Sequence, residues 1–277
     1  MGGLKLAGVG KQYRRGAPWV LRGADLDVPA GALVRIEGAN GSGKSTLLKL
    51  VGGIEPPSRG RIELTGRRAY VPERFPPALP FDAGDYLRRL GRIHGLDART
   101  AAARADEWLD RFGIADRAGT PLSRLSKGTC QKVAVAQALL AEADVLLLDE
   151  AWTGLDQDSR ALLDQAAADR AAAGGTVLFV DHDLHRLAGL TTAAYRVQDG
   201  ALTPAQPAAP VDPDRPPVRI RVAAPELPDR LPGDPKRAEP APDGTVLLRV
   251  AAEHSDALLR RLLAADAHIV EVRGEDA

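Results

Sequence analysis

The most explicit chemistry in this chain is carried by Gly38-Ala39-Asn40-Gly41-Ser42-Gly43-Lys44-Ser45-Thr46. The glycines allow a backbone turn whose successive N–H groups face one hollow, and a helix beginning at its end adds the positive end of its dipole. A chain of phosphates fits such a hollow. Lys44 supplies a mobile cation that can reach β- and γ-phosphates, and Ser45 places a hydroxyl where it can ligate Mg²⁺. The pattern points to the phosphate-binding loop of a nucleotide triphosphatase.

Other residues could complete that chemistry. Asp149 and Glu150 follow the apolar run Val145-Leu146-Leu147-Leu148. One carboxylate can hold Mg²⁺, directly or through water, while its neighbour orients or deprotonates a water attacking the γ-phosphate. His182 follows a second apolar run, Thr176 to Val180, where an imidazole can donate to a γ-phosphate oxygen or orient that water. His185 reads as a solvated helix residue, because one cysteine and scattered histidines give no transition-metal set. Leu125-Ser126-Lys127-Gly128-Thr129 precedes a helix expected from near Gln131 and offers a hydroxyl and N–H groups to an anion; alone it is a helix cap. Tyr13 stands in a polar loop, where it can stack on a base or pack at a sheet edge.

These residues need an α/β frame. Ala32 to Ile36 reads as a strand before the glycine turn, and Leu47 to Val51 as the helix after it. Continuous apolar runs such as 145–148 and 176–180 suit strands buried on both faces, and ligands gather at the C-terminal ends of such strands. Between the two halves of the sheet, helical patterns at 85–94, 98–112 and 125–140 form an insertion. Of 21 prolines, 12 lie between Pro204 and Pro242, so residues 201–217 read as an extended linker. Beyond it, 218–222, 245–250 and 268–273 alternate as strands, with a helix that Ser255 can cap and that carries Leu258, Leu259, Leu262 and Leu263. The expected division is a domain at 1–200 with a helical subdomain at about 74–140, a linker at 201–217, and a small α+β module at 218–277.

With 37 basic against 37 acidic residues, the charge balance gives no bulk attraction to nucleic acid or anionic membrane, and no nucleic-acid partner is expected. The single Cys130 excludes an internal disulfide and reads as a small buried filler. No stretch approaches the roughly 18 apolar residues of a membrane span, and the first residues lack a signal-peptide core, so a cytoplasmic protein is expected.

In order and spacing, these stretches resemble the ATP-binding subunit of ABC transporters across residues 4–200. Gly38 to Thr46 matches Walker A, Val145 to Asp149 Walker B, Glu150 the catalytic glutamate, His182 the switch histidine, Leu125 to Thr129 the signature motif, Gly154-Leu155-Asp156 the D-loop, and Tyr13 the adenine-stacking aromatic. The resemblance implies a P-loop NTPase fold of ABC type, ATP and Mg²⁺ as cofactors, and hydrolysis carried by Glu150, His182 and Lys44. It implies a head-to-tail homodimer in which ATP lies between Walker A of one copy and Ser126, Lys127, Gly128 and Thr129 of the other. It also implies Ser45, Asp149 and Glu73 around Mg²⁺, and an integral-membrane permease on a separate chain that holds the protein at the inner face of the cell membrane.

Three positions depart from the family pattern. Glu73 replaces the Q-loop glutamine, the signature reads Leu-Ser-Lys-Gly-Thr for Leu-Ser-Gly-Gly-Gln, and Ala151-Trp152 precedes the D-loop in place of an acidic or small residue and proline. Glu73, the Lys-Gly signature and a C-terminal module are similar to exporter ATPases, which favours export. A soluble ABC-type ATPase acting on ribosomes or DNA is the main rival. Such proteins carry two ATPase units or long coiled coils, whereas here one unit is present and about 80 residues separate Lys44 from Ser126. A nucleotide-gated binding module with negligible turnover is a third reading, suggested by Glu73 and Lys127.

Overall fold

The computed structural model describes residues 3–76, 78–208, 216–223, 227–228, 231–233, 235–237 and 243–274. It divides into two compact units, Met1–Asp181 with Leu190–Pro207, and His182–Gly189 with Ala208–Ala277.

The first unit runs β1 (Leu4–Lys11), β2 (Leu21–Val28), β3 (Leu33–Glu37), α1 (Lys44–Val51), β4 (Arg59–Leu64), β5 (Arg68–Val71), α2 (Ala83–Ile93), α3 (Ala98–Arg111), α4 (Lys127–Leu139), β6 (Val145–Asp149), α5 (Gln157–Ala172), β7 (Thr176–Val180), β8 (Ala193–Gln198) and β9 (Ala201–Ala205). β5, β6, β7, β3 and β8 form a parallel sheet in that spatial order, and β9 adds an antiparallel edge to β8. All five residues of β6 and of β7 are buried, as expected of strands covered on both faces. A separate antiparallel sheet, ordered β2-β1-β4, turns Leu4, Leu6, Leu26 and Val28 towards Leu47, Leu48 and Leu50 of α1 in one core cluster. The expected α/β fold is therefore the observed one.

Helix starts follow cap chemistry. Asp82, Asp97, Ser126 and Asp156 each accept a backbone N–H at the head of α2, α3, α4 and α5, worth about 1 kcal/mol apiece. The Ser126 cap places the start of α4 at Lys127, earlier than the expected Gln131, so Lys127, Gly128 and Thr129 form its first turn. Cys130 is buried on that helix, as expected, with its thiol donating to the Leu122 carbonyl at 3.6 Å.

The second unit contains β10 (Val218–Ala223), β11 (Lys236–Arg237), β12 (Thr245–Val250), α6 (Ser255–Leu263) and β13 (His268–Gly274). Its sheet is antiparallel throughout, ordered β11-β12-β10-β13, so β10 lies between the two strands that α6 connects. Leu258 and Leu262 are fully buried against Ile220, Val222, Leu248 and Val250, at about 2 kcal/mol per leucine.

Three local expectations differ. The first five residues of the stretch expected as linker form β9, and the 209–215 part lies outside the described residues. His185 lies in a turn, not on a helix. Ser255 is the first residue of α6 and donates to the Ala252 carbonyl at 2.6 Å, so it does not cap the helix.

Candidate functional site

The buried strand β3 delivers the chain into the 38–43 turn, and α1 starts at Lys44 behind Gly43. Gly43 has φ 111° and no side chain to cap the helix, so no side-chain oxygen competes for the first N–H groups of α1. Lys44 is 8 % exposed, and its Nζ donates to the Gly38 and Ala39 carbonyls at 2.9 and 3.1 Å. Ala39, Asn40 and Gly41 form the exposed rim, and Ser42 N–H closes the turn onto the Ala39 carbonyl at 3.1 Å.

At the foot of α1, Ser45 Oγ donates to Asp149 Oδ1 at 3.0 Å, and Tyr70 donates to Oδ2 at 2.8 Å. Burial pushes the Asp149 carboxyl above the usual range, while these two hydrogen bonds pull it down and the charges of Glu150 and Glu73 add to the rise. Burial, then the charge of Asp149, raises the Tyr70 hydroxyl. Glu73 lies in the bend after β5, with its carboxylate 3.7 Å from Arg74 Nε. Among the described residues no cluster of three or more His, Cys, Asp or Glu could hold a metal. One hydroxyl beside one carboxylate nonetheless fits Mg²⁺, which keeps several waters and takes phosphate oxygens for the rest.

β6 ends at Asp149, and Glu150 turns the chain with φ 51° while its N–H still reaches the Val180 carbonyl at 3.0 Å. The strand geometry therefore ends between the two adjacent carboxylates. Tyr13 is 56 % exposed, with its hydroxyl 3.2 Å from Thr46 Oγ1 and donating to Glu55 at 3.3 Å.

At the head of α4, Ser126 Oγ accepts the Thr129 N–H at 3.2 Å and lies 2.9 Å from the Thr129 hydroxyl. Ser126 and Lys127 are exposed. Gly128 backs onto the next motif, since a Cβ there would stand 2.9 Å from the Gly154 carbonyl oxygen. Leu155 is buried, and Asp156 accepts the Ser159 N–H at 2.9 Å while pairing with Lys132 at 2.7 Å. The Lys132 hydrogen bond, followed by those of Ser159, lowers the Asp156 carboxyl to about 2.

The ABC transporter family model matches residues 21–153. The zinc import ATP-binding protein ZnuC of Cereibacter sphaeroides is 38% identical over 177 residues, covering 62% of this chain and 70% of that protein. This chain belongs to the ABC transporter family. The Nod factor export ATP-binding protein I of Azorhizobium caulinodans is 34% identical over 199 residues, 66% of this chain and 62% of the relative. A solved ATP-binding subunit of an ABC transporter superposes with a TM-score of 0.67 at 26% identity, covering 72% of this chain and 87% of that one. The protein is an ABC ATPase that binds ATP, and ABC ATPases act as dimers with membrane permeases.

Several residues of this ABC ATPase's site were not visible in its sequence. Tyr70, 79 positions from Asp149, is one. Arg35 is another: it is 2 % exposed, and its Nη2 donates to the Asp181 carbonyl at 2.8 Å, fixing the exit of β7. Ala151 and Trp152 are both buried, with the indole donating to Asp164 at 2.8 Å and Gln131 donating to the Ala151 carbonyl at 3.0 Å. Trp152 therefore anchors the turn before Gly154 through its indole, while the contact at Ala151 is to the backbone. His182 follows β7 after Asp181 but belongs to the second compact unit.

Proposed function

We propose that two copies of this chain close head to tail on ATP and drive export through a separate membrane permease. The observation that carries the reading is the 3.0 Å Ser45–Asp149 hydrogen bond at the foot of a helix whose N-terminus has no side-chain cap. That arrangement supports phosphate binding by residues 38–46, with Lys44 exchanging its carbonyl acceptors for β- and γ-phosphate oxygens and Tyr13 stacking on adenine. Ser45 and Asp149, with Glu73, would hold Mg²⁺, which supplies charge neutralisation of the phosphates when bound.

Glu150 accepts the proton of the attacking water, His182 steadies the γ-phosphate, and ADP and phosphate leave. Exposed Ser126 and Lys127, with half-buried Gly128 and Thr129, form the helix head offered to the nucleotide of the second copy, and Gly154, Leu155 and Asp156 lie at the dimer contact. Among the described residues no helix is long and apolar enough to cross a membrane, which supports a peripheral place on a permease at the inner face of the cell membrane. Glu73, the Leu-Ser-Lys-Gly-Thr signature and the Nod factor export relative support export, and the zinc import relative stands on the other side.

Glu150→Gln should cut steady-state ATP hydrolysis by about 100-fold or more while ATP traps a dimer visible by light scattering. Hydrolysis at the parental rate overturns the assignment of the base. Uptake of cargo into inverted vesicles carrying the permease reports export; cargo movement in the opposite sense overturns the direction.

A further inference from the structure

The segment His182–Gly189 groups with the C-terminal residues Ala208–Ala277, although the chain inserts it between β7 and β8. Asp183 organises this segment. Its Oδ1 accepts the His185 N–H at 2.9 Å, its carbonyl accepts the Arg186 N–H at 3.1 Å, and its Oδ2 lies 3.8 Å from Arg186 Nη2. The same Oδ1 lies 3.3 Å from Nδ1 of His254, in the turn just before α6. The two side chains are largely buried, at 18 % and 13 % exposure.

His254 is itself held in place. The His185 ring meets it edge-on with centroids 5.0 Å apart, and Gly233 backs it so closely that a Cβ there would stand 2.4 Å from its own Cβ. The histidine therefore has little room to withdraw from Asp183. Asp183 is bonded in the chain to His182, so whatever fixes the Asp183 carboxylate also limits the backbone freedom of His182.

We infer that His254 is a positioning residue for His182: by tethering Asp183 it holds the turn that carries the switch imidazole, and the C-terminal module thereby sets the rate of γ-phosphate cleavage. This rests on the role of His182 proposed above. The tether acts through the backbone that carries His182 and involves no residue of the 38–46 loop, so its expected effect is on kcat and not on ATP binding.

The test uses the full chain with its permease and compares wild type, His254→Ala, His182→Ala and the double variant, by steady-state ATPase and by single-turnover hydrolysis for slow residual rates. His254→Ala should lower kcat about fivefold, the factor that one net hydrogen bond is worth, with KM for ATP unchanged. His254→Gln, which keeps a donor near Asp183, should restore most of the rate. In the His182→Ala background, His254→Ala should have no further effect. An equal loss in both backgrounds, a rise in KM in place of a fall in kcat, or no rescue by Gln while both variants keep the wild-type melting temperature overturns the proposal. His182→Ala at the parental rate removes the catalytic reading of His182, and the positioning role falls with it.

Discussion

Two helices of the first unit, α1 and α4, treat their N-termini in opposite ways. The head of α1 has no side-chain cap, a buried Lys44 beside it, and a serine wired to a buried carboxylate. The head of α4 is capped by Ser126, which is bonded within its own turn, and it faces outward with an exposed lysine. An uncapped N-terminus has all its first N–H groups to give an anion, whereas at α4 the Ser126 cap occupies the Thr129 N–H and leaves fewer, beside a hydroxyl and a charge. On the proposed reading, the contrast separates a helix that binds the nucleotide from one that responds to a nucleotide already bound by the other copy.

The largest effect should come from α1. Lys44→Ala should weaken ATP binding by the isolated chain about 100-fold in calorimetry, through loss of a charge-assisted phosphate contact. Ser126→Ala, by contrast, should leave that affinity within about twofold while lowering turnover of the dimer about tenfold. If both substitutions weaken binding by the isolated chain equally, the division of labour between the two helices is wrong.

Smaller effects should sharpen the same contrast in the folded state. Gly128→Ala should cost about 1–2 kcal/mol in denaturant unfolding, because the new methyl would meet the Gly154 carbonyl at 2.9 Å. Ser126→Ala should cost about 1 kcal/mol for the lost cap, with no comparable residue to remove at α1. A pH-dependent effect concerns Asp156, whose carboxyl is lowered from 3.8 to about 2. A depressed pKa contributes stability that is complete above the unfolded value and lost as pH falls through the folded one. Asp156→Asn should therefore destabilise by about 1 kcal/mol at pH 6, a figure reduced for the half-exposed side chain, and the difference should shrink as pH falls towards about 2 and vanish only below it in parallel thermal melts.

Much of the site was legible because it is written in adjacent residues. The 38–46 turn, the apolar runs at 145–148 and 176–180, and Asp149 beside Glu150 each follow from local backbone needs and burial. What escaped are partners that meet only on folding: Tyr70 on Asp149, Arg35 on the Asp181 carbonyl, Lys132 on Asp156, His254 on Asp183. Composition also misled where proline marked a linker. Pro204 pairs with Tyr195 in β9, an edge strand, and an edge position tolerates a residue without an N–H. Burial likewise hid the purpose of Trp152, which reads as a family departure until its indole is seen donating to Asp164.

Lys44 has two carbonyl acceptors inside its own loop, at 2.9 and 3.1 Å. On the reading proposed above, nucleotide exchange at this loop would be a swap of partners that never leaves a bare ammonium in a buried place. That lowers the barrier to letting ADP go as much as it tempers the affinity for ATP. If two copies close on ATP as proposed, such a loop would let a motor reset after each stroke, with commitment to a cycle resting on the arrival of the second copy more than on the tightness of the grip.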